Sequence, residues 1–509
     1  MTAASASASA PAPDGTAQSG APADTWDVVV VGGGPPGENA AQYAIQGSDR
    51  TAVIVEAELV GGECSYWACM PSKALLRPWN VLDDARHMPG VKSLVGDRGL
   101  DVAAVLERRD TIVNHHDDGS QVQWANGAGI DVVRGRGRLA GERTVEVTAA
   151  DGSVRTLHAR HAVVLATGTT AAVPPVPGLR EALPWTSRDV TNQHEVPARV
   201  AVVGGGVVAC EATTWLQALG SQVTLIGNAP GLLPRNEPFA GDLVRQRMEE
   251  LGVTVHLSAS VDRVERADAR DTGEGHVHGG PVTVHFGDGS VTVDEILVAT
   301  GRVPASRDIG LDTVGLTDAT DRRGYLPVDD HLTVTGAQGD WLYVVGDLNG
   351  RALLTHMGKY QARIAGAVIA ARAEGRSLDG PWYRDTADHD QVPQVTFTDP
   401  EVASVGLSEQ DARDKGVDVE AVEYDLASVA GTYLLREDYR GRAKLVIDRA
   451  ADVLVGATFV GPDVAELLHS ATVAVVGRVP LPTLWHAVPS YPTASEIWLR
   501  LLESRYSPS

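Results

Sequence analysis

The sequence predicts an α/β protein with two Rossmann-like dinucleotide-binding units and a C-terminal α+β domain. Three observations predict it. A Val-rich strand running into a glycine turn and a small-residue helix occurs twice, at WDVVVVGGGPPGENAAQYAIQG and at RVAVVGGGVVACEATTWLQALGSQVTLIG, about 170 residues apart. Each copy is followed by a matching buried strand ending in an ATG turn, AVVLATGTT and EILVATGRVP. From about residue 386 such turns cease, and strand patterns (QVTFT, AKLVIDR, LVGATFVG) alternate with amphipathic helices such as DVAELLHSATVAVVG.

A chain of 509 residues exceeds one ordinary domain. Residues 1–24 are Ala/Ser/Pro-rich, with neither a basic start nor a continuous apolar segment, and are expected to form a disordered tail rather than a signal peptide. Residues 25–185 and 311–385 are expected to form the first unit in two parts, 186–310 the second unit, and 386–509 the C-terminal domain. The acidic, Gly-rich stretch 265–281 is expected to be a surface hairpin loop of the second unit. With 43% hydrophobic and 21% charged residues the composition is that of a soluble globular protein. The net charge of −23 argues against a protein that coats nucleic acid or anionic membrane. It leaves room for anionic cofactors, because pyrophosphates are held by backbone N–H groups at helix ends. No apolar run reaches the roughly 18–20 residues that span a bilayer, so no membrane partner and a cytoplasmic location are expected.

The first fingerprint is Gly32-x-Gly34-x-x-Gly37. Its first glycine permits the tight turn, its second lets a pyrophosphate approach the backbone, and its third allows close helix–strand packing. Glu56 ends the next strand, 19 residues past Gly37, where a carboxylate can accept from an adenosine ribose. The second fingerprint is Gly204-x-Gly206-x-x-Ala209. Its following strand ends at Gly227 and Asn228, so no carboxylate stands ready to bind a free 2′-hydroxyl or repel a 2′-phosphate. Arg235 downstream is placed either to meet a phosphate or simply to face solvent. The balance leans toward NADPH over NADH. A later buried strand, WLYVVGDLNG, ends in the turn Gly346-Asp347.

Three cysteines, Cys64, Cys69 and Cys210, are too few for a secreted disulfide framework. Cys64 and Cys69 lie in GGECSYWACMPSKALLRP. At i and i+5 a regular helix would separate them by about 7.5 Å along its axis, beyond the usual disulfide reach. The chain must therefore depart from regular helix near Cys64, with helix taking over around Cys69 and running through Ala74 to Leu76. A thiolate at a helix N-terminus is stabilised by free N–H groups, which favours Cys69 as the more acidic thiol. Two isolated buried thiols are the bland alternative. A metal site lacks a companion Cys or His cluster, and no metal is expected. Cys210, on the second fingerprint helix, reads as a small buried hydrophobe.

With GGECSYWACMPSK in place, the chain closely resembles the pyridine nucleotide–disulfide oxidoreductases, the family of glutathione reductase, dihydrolipoamide dehydrogenase and mercuric reductase. The resemblance spans about 26–500 and keeps motif order, including both ATG strands, Gly346-Asp347 and VTFTDPEVASVGLSE. It implies a homodimer joined through the C-terminal domain, FAD on the first unit and NAD(P)H on the second. Glu56 would hold the adenosine ribose of FAD and Asp347 the hydroxyls on its ribityl side. Gly62, Gly137, Thr167 and Gly168 match positions lining FAD, as does the stretch Leu354, Thr355 and His356. Gly301 and Arg302 of the second ATG strand match nucleotide-site positions. Lys73 and Glu211 match a lysine–glutamate pair beside the flavin, where an ammonium stabilises the negative charge of reduced flavin. Cys69 matches the charge-transfer cysteine that contacts the flavin, and Cys64 the one that attacks substrate.

Two departures stand out. Val207 replaces a tyrosine that shields the flavin in glutathione reductase, which implies a more open nicotinamide pocket. The family pattern His-x-His-Pro-Thr-x-Ser-Glu, whose second His is the acid/base held by the Glu, reads here His486-Ala-Val-Pro-Ser-Tyr-Pro-Thr-Ala-Ser-Glu496. Aligned from the right the histidine becomes Tyr491, and from the left Val488; His486 and Glu496 remain. A positioned general acid–base contributes about 10²–10⁴-fold, and a phenol with an unperturbed pKa of about 10 is a poor base at neutral pH. No C-terminal cysteine pair is present, which disfavours mercuric reductase. The leading expectation is an enzyme passing electrons from NAD(P)H through FAD to Cys64/Cys69 and on to a small-molecule disulfide or thiol. The alternatives are reduction of quinones or other acceptors directly at the flavin, and a dihydrolipoamide dehydrogenase-like subunit of a larger complex.

Overall fold

The computed structural model describes residues 24–506. The tail expected over residues 1–24 lies, Asp24 apart, outside the described residues. In the first unit the strand Thr25–Val31 sits between Ala52–Glu56 and Val154–Leu165, parallel to both. Ile130–Arg134 extends the sheet on one side and Leu342–Val344 pairs with Val154–Leu165 on the other, again parallel. Val28, Val29 and Val30 are buried on both faces, which is why these strands read as unbroken apolar runs. The return of the chain at Leu342–Val344 brings Gly346 against Pro36, at the start of the helix Pro35–Ile45. That helix lies along Thr355–Ala373 through small residues: a Cβ on Gly366 would stand 2.5 Å from Tyr43 Cβ.

The second unit has four parallel strands in the order Thr254–His256, Gln222–Ile226, Arg199–Val203, Glu295–Val298. Beside them Val261–Glu265, Val282–Phe286 and Gly289–Val293 form an antiparallel sheet. Residues 266–281 join two antiparallel strands, as a hairpin loop should, but they are not simply surface. Arg266 is buried with Glu295 in an ion pair of 2.7 Å, and the His278 N–H donates to the same carboxylate. Once the loop folds back, these polar groups must satisfy one another. The two units are stitched together by Thr169–Ala171, antiparallel to Arg302–Pro304.

The C-terminal domain is a five-stranded antiparallel sheet, Pro393–Thr396, Glu401–Gly406, Val453–Gly461, Arg442–Asp448, Val419–Asp425, with the helices Leu468–Val476 and Ile497–Tyr506 packed on its core. Among the described residues no helix is long and apolar enough to cross a membrane.

Candidate active site

Both fingerprint turns lie at strand ends and open helices that receive no side-chain cap. Gly34 starts Pro35–Ile45 and Gly206 starts Val207–Ala218 in this way. Pro35 and Pro36 carry no N–H and leave the first helix start to the N–H groups of Gly34 and Gly37. Uncapped N–H groups at a helix start are ready for a pyrophosphate. Gly37 is obligatory, because a Cβ there would overlap the Gly32 carbonyl oxygen. In the second turn Ala209 fills the equivalent position, fully buried near Gly204. Glu56 caps the first turn, one oxygen accepting from the Gly33 N–H at 2.6 Å and the other from the Glu58 N–H at 2.7 Å.

The segment Gly61-Gly62 crosses directly over this turn. The Gly61 N–H donates to the Gly33 carbonyl, and a Cβ on Gly62 would come 2.6 Å from Gly34 Cα. On the far side, Asp347 is held in place because the Gly346 N–H donates to Gln361. Its carboxyl is pushed up by burial and accepts from the Thr169 hydroxyl at 2.7 Å. An uncapped helix start, a backbone-only crossing and a buried carboxyl with capacity to accept make a cradle that fits FAD. Gly137 turns toward the core instead, since a Cβ there would meet Val31 and Val55 side chains at 3.0 Å; only its backbone is left to face a ligand.

The crossing leads into the short helix Gly62–Tyr66, which carries Cys64, and then into Cys69–His87. Cys64 itself lies in a helical turn, so the departure from helix expected near it comes later, at Trp67 and Ala68, and helix resumes at Cys69 as expected. Both cysteines carry free thiols. The Cys64 thiol, a hydrogen bond with Thr355 (Sγ–Oγ1 3.4 Å) and the Lys73 charge bring Cys69 down to about 6. Cys64 is driven up, by the neighbouring Cys69 and by burial. Lys73 Nζ reaches Glu211 at 2.8 Å and lies 4.7 Å from the centre of the Phe397 ring. The second Glu211 oxygen accepts from the Phe397 N–H at 2.9 Å, so the C-terminal domain fixes the pair. Cys210 is fully buried, its thiol pushed up by burial, in keeping with a small hydrophobe.

Arg302 is engaged within the protein. It donates to the Thr169 hydroxyl (2.9 Å) and carbonyl (2.7 Å) and pairs with Glu63, next to Cys64, at 2.5 Å. The two ATG turns interlock: the Thr167 hydroxyl donates to the Ala305 carbonyl, the Ala305 N–H to Gly168 and the Ala172 N–H to Gly301. Leu354 leads into the helix that Thr355 begins, whereas His356 turns outward and hydrogen-bonds the Pro393 carbonyl at 2.8 Å. Thr355 therefore joins the cysteine cluster and His356 does not. Arg235, exposed, follows the segment in which the Leu233 N–H donates to the Gly205 carbonyl.

The C-terminal trio is not gathered. Tyr491 is 76% exposed and His486 is exposed, while Glu496 is buried and held by Arg500 at 2.7 Å rather than by His486. Residues that the motifs missed surround the cysteine loop. Trp67, between the cysteines, donates to Glu274 at 2.8 Å, and its carbonyl accepts from Thr191 at 2.8 Å. Arg188 and Phe397 join from elsewhere. None carries a local signal, because each acts across more than 100 residues of chain.

Residues 26–375 match the family model described as pyridine nucleotide-disulphide oxidoreductase, and residues 392–501 match the dimerisation domain of the same family. The chain is 32% identical over 474 residues to a dihydrolipoyl dehydrogenase of Chlorobaculum tepidum, covering 92% of this chain and 95% of that protein. It is 26% identical over 471 residues to a mercuric reductase of Staphylococcus aureus, covering 92% of this chain and 81% of that protein. Among solved structures, LpdA from Mycobacterium tuberculosis superposes with a TM-score of 0.79 at 25% identity, covering 94% of this chain and 99% of that one. The HOCl-induced flavoprotein disulfide reductase RclA from Escherichia coli, as its Cu(II) complex, gives 0.77 at 24% identity with the same coverage.

Proposed function

Because the chain belongs to the pyridine nucleotide-disulphide oxidoreductases, FAD-dependent enzymes that use NAD(P)H, we propose that it delivers electrons through Cys64 and Cys69 to a small-molecule disulfide or thiol. Bound FAD supplies hydride acceptance from NAD(P)H and electron transfer to the cysteines. The observation that carries the reading is the placement of the pair. Cys69 begins a helix, meets the Thr355 hydroxyl at 3.4 Å and has Lys73 one turn on, surroundings that make it acidic while Cys64 is pushed up. An acidic Cys69 is a thiolate at neutral pH, suited to lie against an electron-poor ring, while Cys64 remains the exchanging thiol. Lys73, anchored by Glu211 and Phe397, holds positive charge beside that thiolate.

In this proposal Glu56, Gly34 and Gly62 receive the adenosine and pyrophosphate part of FAD, and Asp347 its ribityl hydroxyls. Gly204 and Gly206 receive NAD(P)H, with NADPH favoured because Gly227 and Asn228 place no carboxylate at the strand end. The dimerisation domain supports a homodimer. Exposed Tyr491 would then act as proton donor toward a neighbouring protomer, and the substrate would be one whose exchange tolerates a phenol in place of an imidazole.

The test is Cys64→Ser. Turnover of low-molecular-weight disulfides with NADPH should fall by at least about 10³-fold, the scale of losing a nucleophile, while the long-wavelength thiolate–flavin absorbance from Cys69 persists. Full turnover in Cys64→Ser would sink the disulfide route. It would favour direct reduction of quinone-like acceptors at the flavin, a second reading supported by the missing histidine.

A further inference from the structure

We infer that Arg188 is the positioning residue of the redox loop, clamping the segment that carries Cys64 from the start of the second dinucleotide unit. It sits in the short helix Ser187–Thr191, at the start of the second unit, where a capping box of Thr186 and Asp189 fixes its backbone. From there its guanidinium engages three separate points of the segment that carries Cys64. It binds Glu58 through both terminal nitrogens, at 3.1 and 2.8 Å. Its Nε lies 3.5 Å from Glu63, the residue before Cys64. Its Cζ stands 4.4 Å from the centre of the Trp67 ring, three residues after Cys64. Glu58 precedes the Gly61-Gly62 crossing, so the clamp brackets both the crossing and the cysteine.

Neighbouring contacts reinforce this reading. Thr191, in the same short helix, donates to the Trp67 carbonyl; Arg302 shares Glu63; Glu274 takes the Trp67 indole. Each of these groups comes from the second unit or its junction. Yet only Arg188 touches all three points, and only a planar fork can pair a carboxylate edge-on while presenting its face to an indole. Single exposed ion pairs contribute little, so the effect of Arg188 lies in fixing where Cys64 stands relative to Cys69. That separation matters because the Cys64 thiol is the largest contributor to the acidity of Cys69.

The inference rests on the reading of Cys64 and Cys69 as the redox pair, but its test does not. In the reduced holoenzyme, Cys69 is titrated by thiolate ultraviolet absorbance against a Cys69→Ser background. Arg188→Ala should raise the midpoint by about one pH unit, a tenfold loss of thiolate below the midpoint. Arg188→Lys keeps the charge but loses the fork and the stack, and should shift it in the same direction. Glu58→Gln, at an exposed position, should give a smaller upward shift and remains readable should Arg188→Ala fail to fold. A midpoint unchanged in Arg188→Lys and Glu58→Gln overturns the inference. A Cys64→Ser enzyme that still turns over disulfides would overturn the proposed route and leave these midpoints as informative as before.

Discussion

Cys69 owes its acidity to two groups close to it in sequence and one far along the chain. Cys64 comes from the preceding short helix, Thr355 from the long helix of the first unit, and Lys73 from one turn further along its own helix. Glu211, from the second fingerprint helix, opposes them, its negative charge acting to raise Cys69. The signs are testable. Lys73→Met removes a cation that favours the thiolate, so the Cys69 midpoint should rise from about 6 by roughly one unit. Glu211→Gln removes the opposing charge and keeps the acceptor for the Phe397 N–H, so the midpoint should fall. In each case the thiolate fraction grows as pH rises through the midpoint, and a titration of alkylation rate reads the shift. A midpoint that falls in Lys73→Met and rises in Glu211→Gln would dismiss the electrostatic account.

The decisive element is the crossing of Gly61-Gly62 over the first fingerprint turn. Gly62 has φ +60° and no room for a Cβ beside Gly34, so it is constrained both in conformation and in space. A Gly62→Ala chain must move one backbone away from the other, at a cost of about 1–3 kcal/mol. It should retain at least tenfold less FAD, measured as flavin per chain after dialysis, with a lower melting temperature. Full flavin content in Gly62→Ala would mean that the crossing is not part of the cofactor cradle. Residues 266–281 make the same point from the other side. The sequence reads as an exposed hairpin loop, because acidic and glycine residues dominate it. In the fold, Arg266 goes inside to meet Glu295, and Glu274 lands on the indole between the cysteines.

For the molecule as a whole, the apolar surface left uncovered concentrates in the C-terminal domain. Leu434 is 63% and Val488 84% exposed, and both segments lie together, since Gly431 packs against Thr493. Apolar side chains gathered on one face mark an association surface, in line with the dimerisation-domain match. Leu434→Asp should convert the dimer to monomer in sedimentation experiments at micromolar concentration, with at least a tenfold weaker association. A wild-type chain that sediments as a monomer would contradict the expectation outright.

The sequence by itself determined the two dinucleotide units, the break in helix between Cys64 and Cys69, and the buried fate of Cys210. These are local or periodic properties: glycine spacing, unbroken valine runs, the rise of a helix over five residues. It also exposed the departure at Tyr491, because a missing residue in a motif is visible without coordinates. Tertiary structure alone decided that Thr355 meets Cys69 while its neighbour His356 turns to Pro393. It also decided that Arg302 is tied to Glu63, and that Arg188 and Trp67 lock the redox loop to the second unit. The physical reason is range. Local backbone chemistry is written in consecutive residues, whereas a side chain's partner depends on which distant strand ends the fold brings together.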